Sequence, residues 1–500
     1  MKAIVIGSGM SGLTAAAYLI KAGHEVTVYE QDNHLGGVTA TIEQKGFRWD
    51  MGPLLLEKFG IGEPAYNILF DLGIENQVEI VRADRSLSFP DFLLEKPDQY
   101  PGADWRKEQL KALFPADADG LDRYYSFYET MMDLVALSDR GNSIFVKLWM
   151  LGLFQKVKRM SKWTAKEVTE HFFSDPKLRA VFTGILADFC VLPSEFPGLG
   201  VPLCNVETAY DLRIPQTGSK AGPRPGSSYI KGGIGNLANA MAEYIQNNGG
   251  TITTNAPVEK VLVDQEKVSG IRLKNGEEIS ADIVVASGGA KELFHTLVGD
   301  EYLKDEFKQS LDALIPMESV LMVHLGIDID PLKYQKSSLC YYYETYDIEG
   351  AVHRCRDGEF TADDGFLVYI PTAHSPEMAP NGEHAVTIYT IAPNNLAEGT
   401  WEEKKQFFVD KLIKKAAQII PGLEGHIKHK VTMTPEDFKK ITHLSYHAFG
   451  GMAPVMGQTN PAHVTPIKGL YFIGAQSESG GCVPAVMLGA KKAVEGIIKS

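Results

Sequence analysis

The sequence predicts an α/β chain in which a parallel sheet is built from separated segments, with a second, α+β domain inserted between them. Three observations predict it. A strand, a glycine turn, a helix and a second strand fill residues 2–30; a glycine-led helix followed by strands spans 232–286; a further strand and helix run from 469 to 499. Strands alternating with helices imply parallel pairing through crossovers.

Lys2-Ala3-Ile4-Val5-Ile6 is apolar and β-branched, the signature of a buried strand, and Ser11 to Ala22 carries a helical pattern. Glu25 to Glu30 is the second strand. Gly232-Gly233 introduces an amphipathic helix to about Asn247, ended by Gly249-Gly250. Strands are expected at 251–254 and 258–263, then a hairpin turning at Asn275-Gly276, then a buried strand over Ala281–Ala286. Gly469–Gly474 reads as a strand and Val483–Lys499 as a helix. Residues 85–215 are helix-patterned and aromatic, 318–392 hold strand-like runs, and Trp401 to Ile420 is a long helix stopped by Pro421. The expected division is 1–84, 221–300 and 455–500 for the nucleotide-binding domain, and 85–220 with 301–454 for the inserted, substrate- and membrane-facing domain.

With 500 residues, 44% hydrophobic and 22% charged, the chain can bury a large core. Its net charge of −14 opposes nucleic acid as a bulk partner. The five cysteines (Cys190, Cys204, Cys340, Cys355, Cys482) are scattered and contain no C-x-x-C, so neither a disulfide framework nor a structural zinc is expected. Ala3–Ile20 is uncharged and resembles a signal segment, but the glycines at 7, 9 and 12 interrupt any apolar helix there. A reducing, cytoplasmic setting is the expectation.

Gly7-x-Gly9-x-x-Gly12 follows a strand and opens a helix. The first glycine permits the turn, the second admits a pyrophosphate, and the third lets helix and strand approach. Met10 and Ser11 then present helix N-terminal N–H groups to phosphate. Glu30 ends the second strand, where a carboxylate accepts from ribose hydroxyls. Gln31 and Asp32 follow it, so a 2′-phosphate would be repelled. A glycine-rich turn that binds nothing is the plainer alternative. The motif by itself does not separate FAD from NAD.

Gly36-Gly37, Gly46-Phe47-Arg48-Trp49-Asp50-Met51-Gly52-Pro53, Gly232-Gly233-Ile234-Gly235-Asn236-Leu237, Thr465 to Gly474, and Gly481-Cys482-Val483-Pro484 extend the pattern. Together they resemble the phytoene desaturase, carotenoid isomerase and retinol saturase family of FAD-dependent oxidoreductases. The resemblance implies a Rossmann-type, glutathione-reductase-like FAD-binding domain and FAD as the cofactor. It adds Gly36, Gly37, Gly52, Pro53, Val258, Gly474, Ala475, Val483 and Pro484 to the cofactor-binding candidates. Where wider relatives carry an arginine after the doublet and an acid after the final glycine, this chain has Val38 and Ala475. Ser287-Gly288-Gly289 replaces the family's Asn-Ala.

Weaker constellations remain. Arg140–Lys166 holds seven basic residues and no acid around an apolar run, Ile144–Phe154. Eleven residues cannot cross about 30 Å of hydrocarbon. The segment through 162 can instead lie in a lipid interface; the alternative is a core helix with a basic end. Tyr341 and Tyr343 would share one face of a strand, where ordinary packing is the better reading than a tunnel wall. His443 and His447 are four apart but lack a third ligand, so no metal is expected. By resemblance His447 approaches substrate, and Glu478, in a similar place, is the other catalytic candidate; a plain surface carboxylate is its alternative.

The resemblance implies hydride transfer at flavin N5 with carbon–carbon double bonds of a long isoprenoid, in the direction of desaturation, saturation or isomerisation. Two other readings stay open: oxidation of a C–N bond, as in flavin amine oxidases, and prenyl-lipid binding without catalysis, as in Rab GDP-dissociation inhibitors.

Overall fold

The computed structural model describes residues 1–140, 143–444 and 451–499. Five parallel strands form the first sheet, in the order Thr251–Thr253, Glu25–Tyr29, Lys2–Ile6, Ile283–Ser287, Leu470–Ile473. Alternation along these strands fixes what covers each face. Ala3, Val5, Ile283, Val285 and Ile473 face the helices Met10–Lys21, Gly235–Asn247 and Val483–Lys499. Ile4, Ile6, Val284, Ala286, Leu470 and Phe472 face an antiparallel meander (Val258–Asp264, Lys267–Leu273, Glu278–Ser280) and the segment behind it. Small residues (Gly12, Ala15, Ala16, Ala17) let the first helix lie close to the strands.

The second sheet has seven strands: Ile427–Met433, Ser319–Ile327, His384–Ala392, Gly365–Tyr369, Leu339–Tyr343, Arg85–Phe89 and Phe92–Leu94. Every pairing in it is antiparallel except Leu339–Tyr343 with Arg85–Phe89. Leu321, Val323 and Leu325 pack beneath it on the helix Trp401–Ile419. Val320, Met322, Tyr341, Tyr369 and Tyr389 face a helical cap that includes Ala118–Ser138, Ala165–Phe172 and Pro176–Thr183. The whole chain thus places one layer of aromatics between sheet and cap.

The helix Ile144–Val157 departs from this scheme. Only Leu153 and Val157 are buried, while Ile144 (62%), Phe145 (79%), Leu148 (60%) and Leu151 (54%) are exposed. It is not a core helix. Among the described residues no helix is long and apolar enough to cross a membrane.

Candidate functional site

The C-terminal ends of the parallel strands open on one edge, the place where open α/β sheets bind ligands. Gly7 turns there with φ +91°, and its N–H donates to the Tyr29 carbonyl at 2.8 Å. A Cβ on Gly12 would lie 2.0 Å from the Gly7 oxygen, so the third glycine is imposed by the protein's own packing. Gly9 is different. A Cβ on it would meet nothing within 4 Å, which leaves room over the turn. No side chain caps the helix that starts at Met10, so the N–H groups of Met10 and Ser11 open onto that room. This is the cradle a pyrophosphate fits.

Glu30 is buried beside it. Its Oε2 accepts from the Ser8 N–H (2.7 Å) and hydroxyl (2.6 Å), and its Oε1 accepts from the Asp32 N–H (3.0 Å). Gly36 bridges to Gly9 in parallel and donates its N–H to the Ser8 carbonyl at 3.0 Å. A Cβ on Gly37 would lie 3.7 Å from the Gly9 Cα, so the doublet lies across the first turn. Gly52 adjoins it through Val38, whose oxygen would be 2.3 Å from a Cβ there, and Pro53 follows.

On the other side, Gly474 (φ +104°) faces Ser11 Oγ and the Gly288 nitrogen. Ser287 donates its hydroxyl to the Ile6 carbonyl at 2.9 Å, and Gly288, with φ +112°, also has nothing within 4 Å of a Cβ. The departure at 287–289 therefore keeps this edge open. Ala475 is next in the chain; Val483 and Pro484 begin the helix that packs along Met10–Lys21. Val258 starts the meander two residues after Ala256, whose N–H donates to the Glu30 carbonyl at 2.8 Å. Gly7, Gly9, Ser11, Gly36, Gly37, Gly288 and Gly474, from both chain regions, thus lie together at this edge.

Asp50 is a site residue that sequence reasoning missed, although it lies in a segment quoted for the resemblance. Its Oδ1 accepts from the Ile234 N–H (2.8 Å) and the Thr41 hydroxyl (3.1 Å). Its Oδ2 is buried with no hydrogen-bond partner among the described residues. Burial outweighs the hydrogen bonds and pushes the carboxyl up to about 6. Asp50 clamps the hairpin Thr41–Asp50 to the start of the helix Gly235–Asn247.

Of the two catalytic candidates, only Glu478 falls among the described residues. Glu478 is exposed, its Oε1 accepting from the His463 N–H at 3.2 Å, and burial holds the His463 imidazole below its usual range. His447 lies outside the described residues. The helix Pro435–Thr442 stops before His443, which has φ +56°. His443 stands 3.6 Å from Asp32.

A separate cavity of about 70 Å³ opens between the second sheet and its cap, lined by Asp188, Cys190, Tyr341, Tyr343, Val352 and Tyr389 among others. The rings of Tyr341 and Tyr343 stack 5.9 Å apart, 5° from parallel. The packing reading of these tyrosines is therefore incomplete: they pack against each other and also form a cavity wall. Sequence alone gives no sign of the cap segment that completes the cavity.

Comparison with known proteins places these features. The family described as flavin containing amine oxidoreductase matches residues 10–498. The 4,4'-diapophytoene desaturase (4,4'-diaponeurosporene-forming) of Staphylococcus aureus is 24% identical over 520 residues, covering 100% of this chain and 99% of the relative. An oxidoreductase from Methanosarcina mazei superposes with a TM-score of 0.65 at 20% identity, over 99% of this chain and 100% of that one. Cyclohexylamine oxidase from Brevibacterium oxydans has the same fold, with a TM-score of 0.59 at 17% identity over 100% and 98% of the two chains. The protein described here belongs to the flavin-containing amine oxidoreductase family and is an FAD-dependent oxidoreductase.

Proposed function

We propose that this oxidoreductase desaturates a long isoprenoid polyene at a lipid surface. The full-length likeness to the Staphylococcus aureus desaturase carries the reading. Two features of the fold support it: an aromatic-lined cavity between sheet and cap, and an apolar helix left in solvent. The segments 1–84, 221–300 and 455–500 hold the cofactor, and 85–220 with 301–454 hold the substrate. Gly7, Gly9, Met10, Ser11 and Gly12 take the pyrophosphate, Glu30 the ribose hydroxyls. Gly36, Gly37, Gly52, Pro53, Val258, Gly474, Ala475, Val483 and Pro484 complete the walls around the cofactor.

FAD, when bound, supplies the hydride acceptor. The chain's own part is to hold the polyene and keep water away from the reacting bond. The aromatic layer between sheet and cap suits an unsaturated chain, whose faces stack on rings. The helix Ile144–Val157, with Lys147, Lys156, Lys158, Arg159 and Lys162 exposed along and after it, suits an anionic lipid interface from which such a substrate is drawn.

Anaerobic mixing of the holoprotein with a C30 polyene in detergent tests the reading. Bleaching of the flavin together with a red-shifted polyene product is expected. Bleaching by primary amines and not by polyenes would transfer the assignment to C–N oxidation.

A further inference from the structure

The cavity beneath the cap is not lined as a hydrocarbon would require. Its wall includes the half-buried Asp188 carboxyl together with Tyr341. The Tyr343 hydroxyl is buried in the same wall with no hydrogen-bond partner among the described residues. Gly184 makes room for it: a Cβ there would lie 2.8 Å from the tyrosine ring and 3.1 Å from its oxygen. Phe89 stacks on the other side of that ring at 4.8 Å, so the phenol cannot swing away. A phenol buried without a partner costs about 1–3 kcal/mol unless something polar meets it. Burial pushes the carboxyl up to about 6, against the pull of Tyr341 and the Arg85 guanidinium.

On the reading that this site takes an isoprenoid, we propose that the substrate carries a hydroxyl at one end, seated between Asp188 and Tyr343. A hydroxyl matches the pair: its proton goes to the Asp188 carboxylate, and its oxygen accepts from the Tyr343 phenol. A carboxylate end would be disfavoured by the Asp188 carboxyl, whereas an ammonium end is the competing occupant that the amine probe below tests. The volume, about 70 Å³, holds roughly five water-sized groups, which suits an end group and the first carbons of a chain entering from the mouth.

The probes are all-trans-geranylgeraniol, its methyl ether, the primary amine of the same chain and the hydrocarbon squalene, each titrated into holoprotein in detergent with flavin absorbance as the readout. The alcohol should bind at least about tenfold more tightly than the ether or the hydrocarbon, the margin expected when a buried polar pair is left unmet. In Asp188→Leu that preference should shrink to within about twofold, and in Tyr343→Phe it should fall several-fold, with flavin occupancy unchanged. Asp188→Asn, which keeps the shape, serves where the leucine variant does not fold. Equal binding of alcohol and hydrocarbon, tighter binding of the amine, or a preference that survives both Asp188 variants would overturn the hydroxyl proposal and leave the isoprenoid reading standing. Failure of every isoprenoid to bind would bring down that reading as well.

Discussion

The Gly7 carbonyl occupies the space where any side chain on Gly12 would begin, the Cβ position being 2.0 Å from its oxygen. Two residues of one motif thus have opposite reasons for being glycine. Gly12 answers to the protein's own packing, whereas nothing in the protein within 4 Å of a Cβ on Gly9 requires a glycine there.

Exchanging each for alanine separates the two. Gly12→Ala should destabilise the chain by about 1–3 kcal/mol through overpacking, whatever is bound. Gly9→Ala has φ −60° and free space, so its apoprotein should unfold within about 0.5 kcal/mol of wild type. Its flavin content after purification should nevertheless drop. Equal flavin content in wild type and Gly9→Ala would put the pyrophosphate elsewhere.

Glu30 makes the next prediction. Because Ser8 donates to it twice, Glu30→Ala loses both the ribose acceptor and a buried support of the glycine turn. A loss of about 1.5–3 kcal/mol in stability and a sharp fall in FAD retention are expected. Glu30→Gln keeps the shape and should recover most of the stability but little of the retention. Denaturant titration beside flavin absorbance reads both.

Asp50 gives a pH signature. Its folded value of about 6 lies above the ordinary 3.8, so its contribution to stability is fully present below about 4 and is lost as the pH rises through about 6. That difference corresponds to about 3 kcal/mol. Subtracting the profile of Asp50→Asn from that of wild type should isolate a loss confined to this window. A flat difference between pH 4 and pH 7 would mean that Asp50 is ionised in the fold without penalty.

The exposed helix makes a surface prediction. Phe145→Ser with Leu148→Ser and Leu151→Ser should cut flotation with anionic vesicles by about tenfold or more, since each apolar side chain adds about 1.5 kcal/mol or more on insertion. Unfolding temperature and flavin content should not move, because these side chains touch little of the protein. Salt should weaken the wild-type flotation by screening the lysines. Flotation that resists both changes would sink the lipid contact.

Much of the fold is legible because its signals are local. The first helix follows from the glycine turn, and the hairpin at Asn275-Gly276 from a dipeptide that tolerates positive φ. The neighbouring turn at Gln265-Glu266 carries no such signal, yet both residues have positive φ. It is held from outside: the Lys468 N–H donates to the Glu266 carbonyl, and the Val268 N–H to the Lys468 carbonyl, each at 2.9 Å. The parallel pairing of Leu339–Tyr343 with Arg85–Phe89 is equally invisible, because nothing near either strand names its partner. The same holds for the site. Glycines announce the cofactor edge, whereas the Asp50 clamp and the Asp188 wall arise only from long-range contacts.

The order of strands in the parallel sheet carries a consequence for biogenesis. Its edge strand, Leu470–Ile473, and the helix Val483–Lys499 are translated after every strand of the inserted sheet. The seven-stranded sheet can therefore close while the parallel sheet still lacks its edge, with the apolar face of Met10–Lys21 awaiting its neighbour. Completion of the edge where Gly7 and Gly474 meet is thereby a late event in the life of the nascent protein.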